Sequence, residues 1–468
     1  MAVVRLALKG ASSEHAAASS LARPLQAAFR LSPLRLLVAG YAAVVLVIAA
    51  LLCLPIASAD GRPQAFINSL FMASSGISTS GLCVVDPGQS YSLFGQLVLL
   101  LDFQIGGLGY MAFFVVMVHL LGGRLRVNHA LVARESMAGP THADVAPFFR
   151  GVIVMTLLFE GLGALVLTCC WARQFPLGRA IYLGVFHSIS AFCTAGFGLF
   201  SDSLISRQRD WVVNLTISVV SLAGGIGFFV LADLWGWFRK APLGHPRRKL
   251  SVHSKLALGV TAVVMLLGTA VIFAAEKWPA SWTAGERIMA SGFQAISAST
   301  TDGFNTIDIG AMTSTSLLFI MLLMFIGASP GSTGGGIKTT TLGVLWVSLW
   351  AQLRQKDANV YRRRIPDETR GKALAILLSF LLVLLLDTLV LTATENGSFV
   401  QILFEIVSAL GNTGLSMGIT ASLTSLAKVV LSITMFIGRV GPLVLGMALI
   451  AKPKPAPYQY AEADVFVG

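Results

Sequence analysis

Eight long apolar stretches constrain this chain more than any other feature, at approximately 34–57, 91–121, 150–171, 211–238, 254–275, 315–351, 371–393 and 422–451. At about 1.5 Å of rise per residue, roughly 20 apolar residues in a helix match the hydrocarbon thickness of a bilayer. Lipid offers no hydrogen bonds, so the backbone must satisfy itself within each segment, as a helix does. The composition agrees, with 55% of residues hydrophobic and 12% charged, where soluble domains carry about 25% charged residues. A soluble enzyme, a disordered chain and a disulfide-stapled secreted module are thereby excluded. The 468 residues predict one all-α integral membrane protein of eight transmembrane helices with short connections.

The charge is asymmetric as well as positive. Thirty-four Lys and Arg face 22 Asp and Glu, for a net charge of +12. Twenty-four of the basic residues fall in the N-terminal tail, in Arg124 to Arg150, Arg239 to Lys255 and Arg354 to Lys372, and at Lys452 and Lys454; eight lie in the opposite connections. This is the positive-inside pattern, which puts both termini in the cytoplasm and makes nucleic acid an unneeded partner. The basic connections either set topology and touch anionic membrane lipids or also dock a cytosolic partner. Cys53, Cys83, Cys169, Cys170 and Cys193 show neither metal spacing nor a disulfide framework and read as packing residues.

The outer connections repeat. FMASSGISTSGL (71–82), FHSISAFCTAGF (186–197), FQAISASTTDGF (293–304) and FEIVSALGNTGL (404–415) each carry Phe, Ser four residues later and Gly six after that. Each unit reads as a span, a short helix, a polar turn and a second span. A half-helix of about ten residues covers roughly 15 Å and must re-enter. Non-helical backbone at that depth survives where protein or water satisfies it. Four such turns about one axis offer rings of carbonyls able to replace the hydration shell of an alkali cation, with helix C-terminal ends favouring positive charge. The candidate ion-binding residues are Thr79, Ser80 and Gly81; Thr194, Ala195 and Gly196; Thr301, Asp302 and Gly303; and Asn412, Thr413 and Gly414. Plain helix-capping turns are the alternative. Asp302 either attracts cations at the outer mouth or caps its turn, while Asp86, His187 and Glu405 read as structural hydrogen-bonding groups.

The spans that follow repeat too, with QIGGLG (104–109), AGGIG (223–227), FIGASPG (325–331) and FIGRVGP (436–442). These small residues permit either close helix packing or a bend. The third span is interrupted by GASPGSTGGGIKTTT (327–341), which cannot continue a lipid-facing helix. Ile337 separates its glycines from Lys338, so it is no phosphate loop. Gly331, Ser332, Thr333, Gly334, Gly335, Gly336 and Lys338 are candidate gate residues. Arg439 joins them, since an intramembrane Arg faces a pore or an acid; the acids available are Asp102 and Asp387. Lys338 either snorkels to the cytoplasm or anchors the loop. Catalytic chemistry has no nucleophile or paired carboxylates at a common depth, so the chain is expected not to be an enzyme. A secondary transporter with broken helices is a rival of another class, but it needs half-helix N-termini aimed at its site.

With the turns TSGL, TAGF, TDGFNT and NTGLSMG, and with QIGGLG, SPGSTGGGIKTTT and GRVGP, the chain resembles the Trk/Ktr/HKT superfamily of potassium transporters, most of all the membrane subunits of bacterial Ktr systems, over residues 34–451. The resemblance implies a gated, channel-like potassium pore in the bacterial cytoplasmic (inner) membrane. Its four units, 34–122, 123–240, 241–353 and 354–451, stand in pseudo-fourfold symmetry between a tail at 1–33 and another at 452–468. It implies a homodimer regulated by a cytoplasmic ring of KtrA-type nucleotide-binding RCK subunits. The repeat-three loop is then the gate with Arg439 beside it, potassium is held at filter backbone only, and Gly81 argues for potassium over sodium. No covalent cofactor is implied, and sodium enters as an activator. A TrkH-like transporter or a sodium/potassium-permeable relative is the near alternative.

Overall fold

The computed structural model describes residues 33–108, 145–238 and 249–442. Both tails, the basic residues at 124–134, 239–248 and 452–454, and the distal parts of the second and eighth apolar runs lie outside the described residues.

Helices account for most of what remains, in four successive units. The first has α1 (Pro33–Cys53), α2 (Phe66–Ile77) and α3 (Leu93–Gly107). The second has α4 (Val145–Trp171), α5 (Leu177–Phe192), α6 (Trp211–Ile226) and α7 (Phe228–Phe238). The third has α8 (Val252–Ala275), α9 (Ala284–Thr300), α10 (Ser314–Ile326) and α11 (Thr339–Leu353). A two-stranded antiparallel hairpin, β1 (Asn359–Val360) and β2 (Arg363–Arg364), leads to α12 (Asp367–Thr394), α13 (Phe399–Gly411) and α14 (Ser425–Val440).

The short helices α2, α5, α9 and α13 are those of the sequence repeat. Their shared Phe71, Phe186, Phe293 and Phe404 are all buried, so the repeated aromatic seats each short helix in the core. Phe103 of α3 packs edge-on against Phe186 at 5.5 Å, joining units one and two. Helix starts follow side-chain capping rules: α9 and α13 open on capping boxes, Thr283 with Glu286 and Ser398 with Gln401. In units three and four, Thr313 and Thr424 cap α10 and α14 and are themselves held by Glu276 and Glu395 at the ends of α8 and α12. The opposite faces carry exposed Leu215, Leu266 and Leu382, as helices bathed in hydrocarbon do.

Among the described residues, three helices are long and apolar enough to cross a membrane singly, Arg150–Trp171, Val252–Ala275 and Asp367–Thr394. The run 211–238 is bent where AGGIG permits it. It breaks between α6 and α7 with a bend of 102°. The cause is Gly227, at φ +97°, a conformation for which a side chain is strongly penalised. The third-unit span breaks too, at Gly327 and again before Thr339, as its Pro and glycines require.

Candidate filter ring and intramembrane loop

The four polar turns have one backbone conformation. Thr79, Thr194, Thr301 and Asn412 all lie in the left-handed region, at φ 55°, 51°, 59° and 53°. The residue after each donates its N–H to the carbonyl of the repeated serine, Ser80 to Ser75, Ala195 to Ser190, Asp302 to Ser297 and Thr413 to Ser408, at 2.8–2.9 Å. This is the Schellman closure of a helix C-terminus. Its left-handed position usually holds Gly, whereas three of these four are β-branched Thr, strained by about 1–3 kcal/mol each. Two residues on, Gly81, Gly196, Gly303 and Gly414 turn the chain again, at φ 84°, 66°, 89° and 87°.

The glycines also define how the turns meet. A Cβ on Gly81 would lie 2.5 Å from the Ala195 carbonyl oxygen, and one on Gly196 2.5 Å from that of Asp302. On Gly303 it would collide with the Thr413 carbonyl, and on Gly414 with that of Ser80. Each glycine thus abuts the preceding carbonyl of the next turn, and the fourth returns to the first, closing a ring of four. Asn412 Nδ2 donates to the Ser78 carbonyl at 3.0 Å across the closing joint. Thr79, Ser80, Thr194, Ala195, Thr301, Asp302, Asn412 and Thr413 are all buried. The structure therefore brings together all twelve residues expected of the filter. The Asp302 carboxylate accepts from Ser221 Oγ of α6 at 2.6 Å, so its side chain ties the turn to a neighbouring helix.

The loop 327–338 lies against the C-terminal ends of all four short helices. Thr333 Oγ1 donates to the Phe192 carbonyl at 2.9 Å and lies 3.3 Å from Thr194 Oγ1. Gly335 N donates to Thr301 Oγ1 at 3.0 Å. A Cβ on Gly335 would lie 2.7 Å from the Gly411 carbonyl, and one on Gly334 2.7 Å from that of Thr300. The third-unit glycines thus let the loop approach backbone directly. Arg439 Nη1 donates to Thr79 Oγ1 at 3.0 Å and to the Thr333 carbonyl, and Nη2 to the Gly106 carbonyl. One guanidinium fork so joins the first turn, α3 and the loop. Asp387 is engaged by Thr434 at 2.7 Å, while Asp102 packs against Gly76 of α2. Lys338 Nζ turns back on Gly334 and Gly335, at 2.7 and 3.3 Å from their carbonyls, and holds the loop. Gly331 accepts from Phe228 N at 2.9 Å, and Gly336 takes φ +73°. Ser332 Oγ has no protein partner among the described residues.

Two groups were not singled out by sequence. The α6–α7 elbow cradles the loop: Thr333 N donates to Gly224 at 3.2 Å, Ser329 N to Gly225 at 3.0 Å, and a Cβ on Gly227 would lie 2.6 Å from the Pro330 carbonyl. Glu160 is buried in α4, where its carboxylate accepts from Gln104 Nε2 at 3.0 Å. Gly106, Gly224 and Gly438 rest on the Ile77, Phe192 and Leu410 carbonyls, each four residues before its filter Gly, so all three serve close packing. The repeated motifs already offered close packing for these three glycines; the loop's seat on the elbow and the place of Glu160 needed coordinates. Asp86, His187 and Glu405 are hydrogen-bonded within the fold, to Gly88 N, the Leu183 carbonyl and Thr420 respectively. No group of His, Cys, Asp and Glu suited to hold a metal ion occurs among the described residues.

A glycine loop thus lies across a closed ring of four left-handed turns, and the chain belongs to the TrkH cation transport protein family, whose model matches residues 41–457. It is 35% identical over 439 residues to the Ktr system potassium uptake protein B of Vibrio alginolyticus, covering 93% of this chain and 94% of that protein. To the protein of the same name from Bacillus subtilis it is 36% identical, with 94% and 97% covered. The potassium/sodium uptake protein NtpJ of Enterococcus hirae is 31% identical, with 94% and 98% covered. In structure it resembles the potassium transporter TrkH of Vibrio parahaemolyticus, with a TM-score of 0.68 and 20% identity over 88% of this chain and 84% of that one.

Proposed function

We propose that this protein is the ion-translocating subunit of a Ktr-type potassium uptake system, a gated pore and not an enzyme. The observation that carries the reading is the closed ring of four identically folded turns with loop 327–338 lying against it. Backbone carbonyls of Thr79–Gly81, Thr194–Gly196, Thr301–Gly303 and Asn412–Gly414 replace the hydration shell of potassium, as carbonyl rings do in filters. The short helices present their partially negative ends toward the site, which favours a cation and argues against an anion-binding secondary transporter.

The eight spans form four repeats, 34–122, 123–240, 241–353 and 354–451, around one axis, in the bacterial cytoplasmic membrane with both termini inside. Loop residues Gly331–Gly336, held by Lys338 and Arg439, form the gate: the loop is hydrogen-bonded to turns one, two and three and packed on the end of α13, so ions pass when it leaves. Two copies pair, and a cytoplasmic ring of KtrA-type nucleotide-binding RCK subunits sets the gate. The names of the B. subtilis and V. alginolyticus relatives support potassium as the ion, with sodium as an activator. The E. hirae relative, named for both ions, supports a second reading in which sodium also permeates.

Rubidium uptake into potassium-loaded liposomes holding the purified protein tests the function. Uptake that external potassium suppresses, and sodium suppresses far less, is the expected outcome. Equal competition by both ions establishes the second reading, and absent uptake with the RCK ring added refutes both.

A further inference from the structure

Beside the intramembrane loop lies a cavity of about 190 Å³ whose lining is entirely apolar or aromatic. Phe325 at the end of α10, Ile337 of the loop, Leu345, Trp346 and Leu349 of α11 and Leu377 of α12 form its walls. Apolar cavities of this size do not hold water. This one opens at Trp346 and Leu349, which are 59% and 54% exposed, on a face that the proposed function places in hydrocarbon. What can enter from that side is an acyl chain.

The rim supplies the second half of a lipid site. Arg354 caps the end of α11, four residues after Trp350 and eight after Trp346, a spacing that puts the three on one stripe of the helix, and Lys372 lies near the start of α12. Arg354 lies over the Trp350 ring, 5.0 Å from its centroid, which holds the guanidinium on this face; Lys372 also pairs with Glu368 at 2.7 Å. Residues 354–372 carry seven basic side chains against three acidic ones. That excess is complementary to an anionic headgroup at the cytoplasmic surface.

We propose that this cavity holds an acyl chain of an anionic phospholipid whose headgroup rests on the Arg354 and Lys372 rim, and that the chain bears on the gate through Ile337. Ile337 N donates to the Phe325 carbonyl at 3.1 Å. The residue after it, Lys338, clamps Gly334 and Gly335. A chain in the cavity therefore touches the wall from which the loop is held. This rests on the membrane orientation of the proposed function.

Tryptophan quenching by brominated-chain lipids tests it on the whole protein in phosphatidylcholine vesicles, with Trp346→Phe identifying the Trp346 signal. Brominated phosphatidylglycerol should quench Trp346 at about fivefold lower mole fraction than brominated phosphatidylcholine for each basic residue engaged. Arg354→Gln and Lys372→Gln, both at the exposed rim, should each remove that factor, and Leu345→Phe, which narrows the cavity, should abolish the preference for phosphatidylglycerol at Trp346 while leaving its quenching by bulk lipid. Phosphatidylglycerol should also change rubidium flux of the wild type and not of Leu345→Phe. Equal quenching by the two lipids overturns the headgroup assignment. Trp346 shielded from both lipids overturns the site and shows the face covered by a second copy or by another part of the chain. Flux indifferent to phosphatidylglycerol overturns the link to the gate. Quenching needs no ion transport, so failure here is separable from failure of the potassium reading.

Discussion

At the scale of single residues, the ring depends on atoms that are absent as much as on those present. Gly81 combines φ +84° with a neighbouring carbonyl 2.5 Å from where a Cβ would stand. Gly81→Ser must push the Ala195 carbonyl aside. The strain, of the order of 1–3 kcal/mol, should fall on potassium coordination and lower potassium-over-sodium preference roughly tenfold; unchanged selectivity in flux assays would remove Gly81 from the filter. Arg439 is the opposite case, a side chain whose donors serve three partners. Hydrogen bonds from a charged group contribute about 1.5–3 kcal/mol each, so Arg439→Gln should free the loop and raise partner-independent flux about tenfold. Lys cannot reproduce a planar fork that spans Thr333 and Gly106. Arg439→Lys should therefore behave like the Gln variant, and a silent Lys variant would show that charge alone matters.

At the scale of elements, the loop and the α6–α7 elbow work as a pair. Thr333 and Gly335 are bonded to the short helices on one side and Thr333 and Ser329 to Gly224 and Gly225 on the other. Deleting Gly334 and Gly335 removes the Thr301 bond and both carbonyls that Lys338 holds. With each neutral bond worth about 0.5–1.5 kcal/mol, basal rubidium flux should rise more than tenfold. Flux that stays low and dependent on the partner would mean the loop is not the gate. The broken third span and the bent second one have one cause, glycine at positive φ where another backbone passes within contact: Gly327 against Gly335, and Gly227 against Pro330.

At the scale of the whole molecule, the elbow offers a route from the basic connection between α7 and α8 to the loop. α7 begins where Phe228 N bonds to Gly331. It is fixed to the start of α8 by Asp233, which accepts from Ser251 N at 3.2 Å and from Ser254 Oγ. A force on the basic connection between α7 and α8 thus reaches the loop through one short helix. Gly227→Ala should stiffen and misplace the elbow and cut the ratio of partner-stimulated to basal flux by about tenfold. That ratio is measured in liposomes with and without the RCK ring, and an unaltered ratio would place the coupling elsewhere.

Much of this was legible in the chain itself, because its physics is local. Apolar length marks the long helices, and a Phe–Ser–Gly spacing repeated four times marks four short helices that each end in a left-handed turn. Pro330 and the glycines at 334–336 must interrupt a helix wherever they fall. What the sequence does not encode locally are the partners. The glycines of AGGIG permit a bend at 223–227 but do not set its angle of 102°, which goes with the loop of another unit lying against Gly227. Arg439 is identifiable as a buried cation, yet its fork donates to two backbone carbonyls and a threonine, and carbonyls carry no sequence signature. The side chain of Asp302 likewise found Ser221, 81 residues away. Helix, turn and break follow from propensity and burial within each segment, whereas the closure of four turns into one ring, and the seating of the loop across it, follow from contacts between segments hundreds of residues apart.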